Sequence, residues 1–182
     1  DTYQSRIEVE SELVDLIRYA NHNPEEHLLR IVIDLNTKAD YTLSHEVSSN
    51  GIIISMKPGV YKVVLDAGHG GKDPGASYFG RMEKEFNLQM VLRMHQLLQE
   101  ELRIEPLLTR STDEFWELQE RVDFAKLHQA DAFISIHANA FPNRSTVRGS
   151  ETYYTHDYQK TFAETLHREL LQATGFPDRG LH

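Results

Sequence analysis

The chain has 182 residues and a formal charge of −9 at neutral pH, room for one domain with its own core or one domain and part of a second. The acidic balance excludes the basic footprint of a nucleic-acid partner, and the absence of cysteine excludes disulfides and thiolate metal sites. No apolar run reaches the length of a membrane-spanning helix, and the opening DTYQSRIEVESE lacks the basic and apolar regions of a signal peptide.

Residues 5–21 mix Ile7, Val9, Leu13, Leu16 and Ile17 with acids, and both strand and helix readings stay open there. NHNPEEH at 21–27 reads as a loop. LLRIVIDL at 28–35 reads as a strand, as does the alternating ADYTLSHEV at 39–47. SSNG at 48–51 signals a hairpin that returns through IIISM. KPG at 57–59 punctuates this β-rich segment, so the boundary is expected at about residue 60, giving segments 1–59 and 60–182.

Beyond it the pattern changes. YKVVLD at 61–66 reads as an apolar strand. Residues 84–102 place Leu88, Val91, Leu92, His95, Leu98 and Leu102 on one helical face. IEPLLTR reads as a strand, with Pro106 pointing to an edge or to the strand's start. Residues 114–130 read as a helix with Leu118, Val122 and Ala125 as its stripe, followed by the strand DAFISIHA and then GSETYYTH. Phe162, Leu166 and Leu170 mark a last helix, which GFPDRG ends. Strands alternating with helices predict an α/β fold: a mostly parallel sheet flanked by helices, preceded by the small β-rich segment.

The chemistry concentrates in LDAGHGGKDPGA at 65–76. It is not a phosphate loop, because Asp73 follows Lys72 where Ser or Thr is required, and Asp73 also breaks the dinucleotide fingerprint. His69 follows one predicted strand, and His137, in FISIHAN, closes another. Ligand sites of open α/β sheets lie at such carboxyl ends. Two histidines there with one carboxylate make a catalytic zinc set with an open position for water; Glu83 or Glu85 can supply the carboxylate. Each histidine then needs an acceptor for its other ring nitrogen. Asp66 is a candidate, although capping its own turn is the stronger reading.

VVLDAGHGGKDPGA, MEKEFNL, LTRSTD, LQERVDFAKLHQADAFISIHANA and GSETYYTH, in this order from about Lys62 to His182, resemble the zinc-dependent N-acetylmuramoyl-L-alanine amidases of the type 3 class. The resemblance implies a bacterial peptidoglycan hydrolase, exported to the cell envelope, periplasm or cell wall. It implies Zn2+ held by His69, Glu83 and His137, with Glu83 rather than Glu85 as the carboxylate. Asn139 is a candidate substrate contact; Arg121 and Ala125 read as structural. The family's general base, a glutamate on a later strand, follows the stretch matched by Arg179 and Gly180. The chain stops at His182, so the catalytic domain is expected to be truncated and no catalytic residue is assigned. Residues 138–180 leave no room for an inserted autoinhibitory helix. LLRIVIDLNTKADYTLSHEVSSNGIIISM resembles the closing strands of an AMIN domain, which implies envelope protein partners for the N-terminal segment. Competing readings are a non-catalytic, wall-binding or zinc-holding module, and a metal-dependent sugar deacetylase, which the order of the motifs argues against. The histidines His22, His27, His128, His156 and His167 are expected on surfaces.

Overall fold

The computed structural model describes residues 5–23, 25–48, 51–140 and 147–182. Internal contacts divide the chain into two compact units, residues 1–139 and 140–182. In the first, β1 (Ser5–Glu8), β2 (Val14–Asn23) and β3 (Leu28–Leu35) form an antiparallel sheet, and β4 (Ala39–Glu46) pairs antiparallel with β5 (Gly51–Pro58). The region left open between helix and strand is therefore strand. The first part of the predicted loop at 21–27 is also strand, since β2 runs on to Asn23. Residues 49 and 50 of the expected hairpin turn lie outside the described residues.

β6 (Tyr61–Ala67) is followed by the short antiparallel pair β7 (Ser77–Tyr78) and β8 (Arg81–Met82), then α1 (Glu83–Leu98), β9 (Ile104–Leu108), α2 (Leu118–Leu127) and β10 (Ala132–Ile136). β6, β9 and β10 form a parallel sheet in the order β10-β6-β9. Pro106 lies on β9, an edge strand where its missing N–H costs no ladder bond. Leu65, Ala67 and Val91 are buried at the centre of the core. Val63, Leu88, Met94, Leu98, Leu108, Ile134 and Ile136 pack around them, so the inner faces of the parallel strands and α1 make one core.

The second unit holds β11 (Ser150–Thr152), a single 3-10 turn at Asp157–Gln159, α3 (Lys160–Thr174) and β12 (Asp178–Leu181). β11 and β12 pair in parallel. Gly175 ends α3 in the left-handed conformation, the stop expected from its glycine. β12 was not anticipated: its partner lies across the whole of α3, and no local pattern announces so distant a pairing. Among the described residues parallel pairing is confined to those beyond 60, and with the antiparallel sheets the fold is mixed α/β rather than mostly parallel.

Three packing expectations are corrected. α1 stops at Leu98, leaving Leu102 in the following turn and 97% exposed. On α2 the expected stripe is not the buried face: Leu118 and Val122 are exposed and Arg121 is buried, because a buried carboxylate claims that side of the helix. His167 is buried on α3, hydrogen-bonded through Nδ1 to the Thr152 hydroxyl (2.9 Å) and through Nε2 to Asp178 (2.9 Å). These two partners satisfy both ring nitrogens away from water.

Candidate metal centre

The parallel register builds the site. Ala67, the last residue of β6, sits opposite Ile136, the last of β10, and the Gly68 N–H donates to the Ile136 carbonyl at 3.0 Å. Both strands therefore end at one level. His137 emerges from one and His69, two residues on, from the other. The imidazoles meet edge to face, with centroids 4.9 Å apart. The glycine turn then folds back through an isolated bridge between Gly70 and Asp73. The Glu83 N–H donates to the Ala76 carbonyl at 2.8 Å, which brings the first residue of α1 over the strand ends.

Glu83 is the centre of the cluster. Its Oε1 lies 3.3 Å from His69 Nε2 and 3.1 Å from His137 Nδ1, and accepts the Ala138 N–H at 2.9 Å; its Oε2 accepts the Ala76 N–H at 2.9 Å. Burial raises its pKa, but those two backbone donors and the neighbouring histidines outweigh burial and hold the carboxyl below the usual glutamate value. Ligand atoms of His69, Glu83 and His137 all lie within 4.8 Å of one another. Two imidazole nitrogens and a carboxylate oxygen, converging where strands end, are donors that suit zinc. Glu85 is turned away to a different use. It is exposed, and its carboxylate accepts the Met82 N–H at the start of α1.

His69 takes a left-handed backbone, φ 61°, a conformation that costs a non-glycine residue about 1–3 kcal/mol and collects at functional sites. Its Nδ1 pairs with Asp73 Oδ2 at 2.7 Å. That bond, followed by the Gly75 N–H, holds the Asp73 carboxyl below its ordinary value. Sequence reasoning missed Asp73, although an acid four residues after the histidine of a tight turn is a local signal. Asp66 does neither thing expected of it. It is buried, and accepts from Thr109 Oγ1 (2.7 Å), Ser135 Oγ (2.6 Å) and Arg121 Nη1 (2.7 Å). Arg121 also donates to the His69 carbonyl at 2.9 Å, so it holds the loop that carries His69. Ala125 is half-buried on the same helix, and Asn139 is exposed two residues after His137.

Two of the loop's glycines, Gly68 and Gly75, make room for the imidazole rings. A Cβ on Gly68 would overlap the His137 imidazole. A Cβ on Gly75 would lie 2.5 Å from His69 Cδ2 and 2.9 Å from Glu83 Cβ, and Gly75 has φ +64°.

Residues 63–182 match the family model described as N-acetylmuramoyl-L-alanine amidase. The chain belongs to this family. It is 39% identical over 166 residues to the N-acetylmuramoyl-L-alanine amidase LytC of Bacillus subtilis, a match that takes in 81% of this chain and 33% of LytC. Among solved structures it resembles the catalytic domain of the amidase CwlV from Bacillus (Paenibacillus) polymyxa, with TM-score 0.65 and 44% identity, over 67% of this chain and 69% of that one. It also resembles the amidase AmiC2 of Nostoc punctiforme, with TM-score 0.63 and 41% identity, over 66% of this chain and 67% of that one. The chain spans between 33% and 58% of the length of the first curated relatives it matches.

Proposed function

We propose that this chain is the catalytic part of a zinc-dependent peptidoglycan hydrolase that cleaves the amide between the lactyl group of N-acetylmuramic acid and L-alanine of the stem peptide. The observation that carries the reading is the convergence of His69, Glu83 and His137 at the ends of two parallel strands in a member of this amidase family.

Zinc held by His69, Glu83 and His137 would supply a water acidified toward neutrality and a Lewis acid for the scissile carbonyl. The residues prepare for that chemistry in distinct ways. His69 donates its Nδ1–H to Asp73, which would leave the Nε2 lone pair, on the side of Glu83, free to bind a metal. The Ala76 and Ala138 N–H groups keep Glu83 ionised and fix its two oxygens. Gly68 and Gly75 leave the space that the two imidazoles fill. Asn139, exposed two residues after His137, is assigned to substrate contact. Residues 60–182 form the catalytic segment. Residues 1–59 are the closing strands of an AMIN-like module that meets envelope partners, and the protein works outside the cytoplasm on the wall.

The test is a digest of purified peptidoglycan with zinc present, following new L-alanine amino termini against new sugar reducing ends. Amino termini alone, lost on chelation, support the reading; released acetate or reducing ends overturn it. Elemental analysis tests the ligand set independently of turnover: His69→Ala and His137→Ala lose zinc, and Glu85→Ala keeps it. Full zinc occupancy in either histidine variant overturns the ligand set.

A further inference from the structure

Every carbonyl of the metal loop from Ala67 to Gly71 has a donor, and most of the donors are long side chains. Arg110 Nε and Arg121 Nη1 donate to the Ala67 carbonyl at 2.9 and 2.8 Å. Arg110 Nη2 and Asn87 Nδ2 both donate to the Gly68 carbonyl at 3.1 Å. Arg121 Nη2 takes the His69 carbonyl at 2.9 Å, the Asp73 N–H the Gly70 carbonyl at 3.0 Å, and Lys84 Nζ the Gly71 carbonyl at 2.9 Å.

Arg110 stands apart in this set. It follows β9 by two residues and is 1% exposed. Besides Ala67 and Gly68, its fork reaches the Thr112 carbonyl (3.0 Å) and the Lys84 carbonyl (2.9 Å). All four of these acceptors are main-chain carbonyls. Arg121, by contrast, is paired with the Asp66 carboxylate. A peptide unit is planar, so holding the Gly68 oxygen fixes the plane that enters His69, and holding the His69 oxygen fixes the plane that leaves it. Two arginines thus clamp the left-handed φ of a proposed ligand from both sides. The contact with Lys84 extends the clamp to the first turn of the helix that begins at Glu83. Asn87 supports the same point: among the described residues its buried Oδ1 has no partner, so what its side chain contributes there is the Nδ2 bond to the Gly68 carbonyl.

We propose that Arg110 is a positioning residue of the metal centre, one guanidinium that sets the peptide plane entering His69 and the first turn carrying Glu83 together. The inference rests on the ligand set proposed above. A lysine keeps the charge but cannot fork to several fixed carbonyls.

The experiment is a zinc titration in competition with a chromophoric chelator, on the wild type, Arg110→Lys and Arg103→Lys, with circular dichroism to verify the fold. Arg110→Lys is expected to stay folded and to bind zinc at least about tenfold more weakly, while Arg103→Lys, just before β9 where Arg103 donates to Thr37 Oγ1 at 2.8 Å, binds as the wild type does. A merely structural arginine would lower the unfolding temperature of the metal-free protein and leave the zinc affinity of the folded protein alone. In Arg110→Ala, millimolar ethylguanidinium is expected to restore zinc affinity and ethylammonium is not. Zinc binding by Arg110→Lys within about twofold of the wild type, or equal rescue by both cations, overturns the proposal. A wild type that binds no zinc overturns the ligand set itself.

Discussion

Asp66 and Arg121 form an ion pair at 2.7 Å with both side chains almost wholly buried, 3% and 6% exposed. The carboxylate sits on β6 and also accepts from Thr109 beyond β9 and Ser135 on β10, so one buried charge ties the parallel strands to α2. Removing one partner of such a pair leaves an uncompensated charge in the core, at a cost of about 3–5 kcal/mol. Arg121→Ala is expected to lower the unfolding free energy of the metal-free protein by that amount in urea denaturation. A loss below about 1 kcal/mol, the range of an exposed pair, would contradict the assignment.

Asp73 makes a second expectation. Carboxylates that accept the remote N–H of a metal-bound imidazole fix its orientation, and their loss typically weakens metal binding about 10–100-fold. Asp73→Asn keeps the size and one acceptor but removes the charge. Its zinc affinity is expected to fall in that range, with circular dichroism unchanged because Asp73 lies in a partly exposed turn. An unaltered affinity would show that the His69–Asp73 bond is a detail of the turn alone.

Much of this architecture was legible in the residues. β3 falls on LLRIVIDL, β6 covers YKVVLD and one residue more, and β10 falls within its apolar run, because a β-branched run closed by turn residues has few other ways to bury itself. His69 and His137 were readable as partners because each follows such a run. What escaped depends on distant partners. Periodicity assigns a helix's apolar residues to its buried face, so it selected Leu118 and Val122. The actual inward residue of α2 is an arginine whose partner lies 55 positions earlier. His167 was misread for the same reason, since Thr152 and Asp178 reach it from two strands. The choice of Glu83 over Glu85 followed from the family resemblance; spacing alone left both open.

Gly68 and Gly80 separate two reasons for being glycine. A methyl on Gly68 would occupy the space of the His137 ring, whereas one on Gly80 would meet nothing within 4 Å but would sit at φ +75°. Gly68→Ala is expected to displace His137 and to weaken zinc at least about tenfold. Gly80→Ala should cost about 1 kcal/mol of stability from backbone strain alone and leave zinc affinity as it was. Parallel zinc titration and thermal unfolding of the two variants distinguish the cases. Equal zinc affinities would refute the packing argument.

Asp131 joins the N-terminal strands to the sheet that carries the histidines. Its Oδ2 accepts from Lys38 Nζ at 2.6 Å and from the Lys62 N–H at 2.8 Å, while its own N–H donates to the Lys62 carbonyl at 2.8 Å. Beside it, the Tyr61 hydroxyl bonds Thr37 Oγ1 and accepts the Lys38 N–H, and Arg103 donates to Thr37. Burial raises the Asp131 pKa, but the Lys38 and Lys62 donors outweigh it, so the carboxyl titrates below the ordinary value of 3.8. A depressed carboxyl pKa means that folding favours the ionised form. Its contribution is therefore complete above the ordinary value and is lost as pH falls through the depressed one. Asp131→Asn cannot titrate. It is expected to be less stable than the wild type by about 1–2 kcal/mol near neutrality. The gap should stay constant down to about pH 5 and narrow as the pH falls below the ordinary value of 3.8 and through the depressed one. Urea unfolding of both proteins across that range measures it. A gap that held or widened in acid would mean that the carboxylate does not fasten the N-terminal segment to the strand leading to His137.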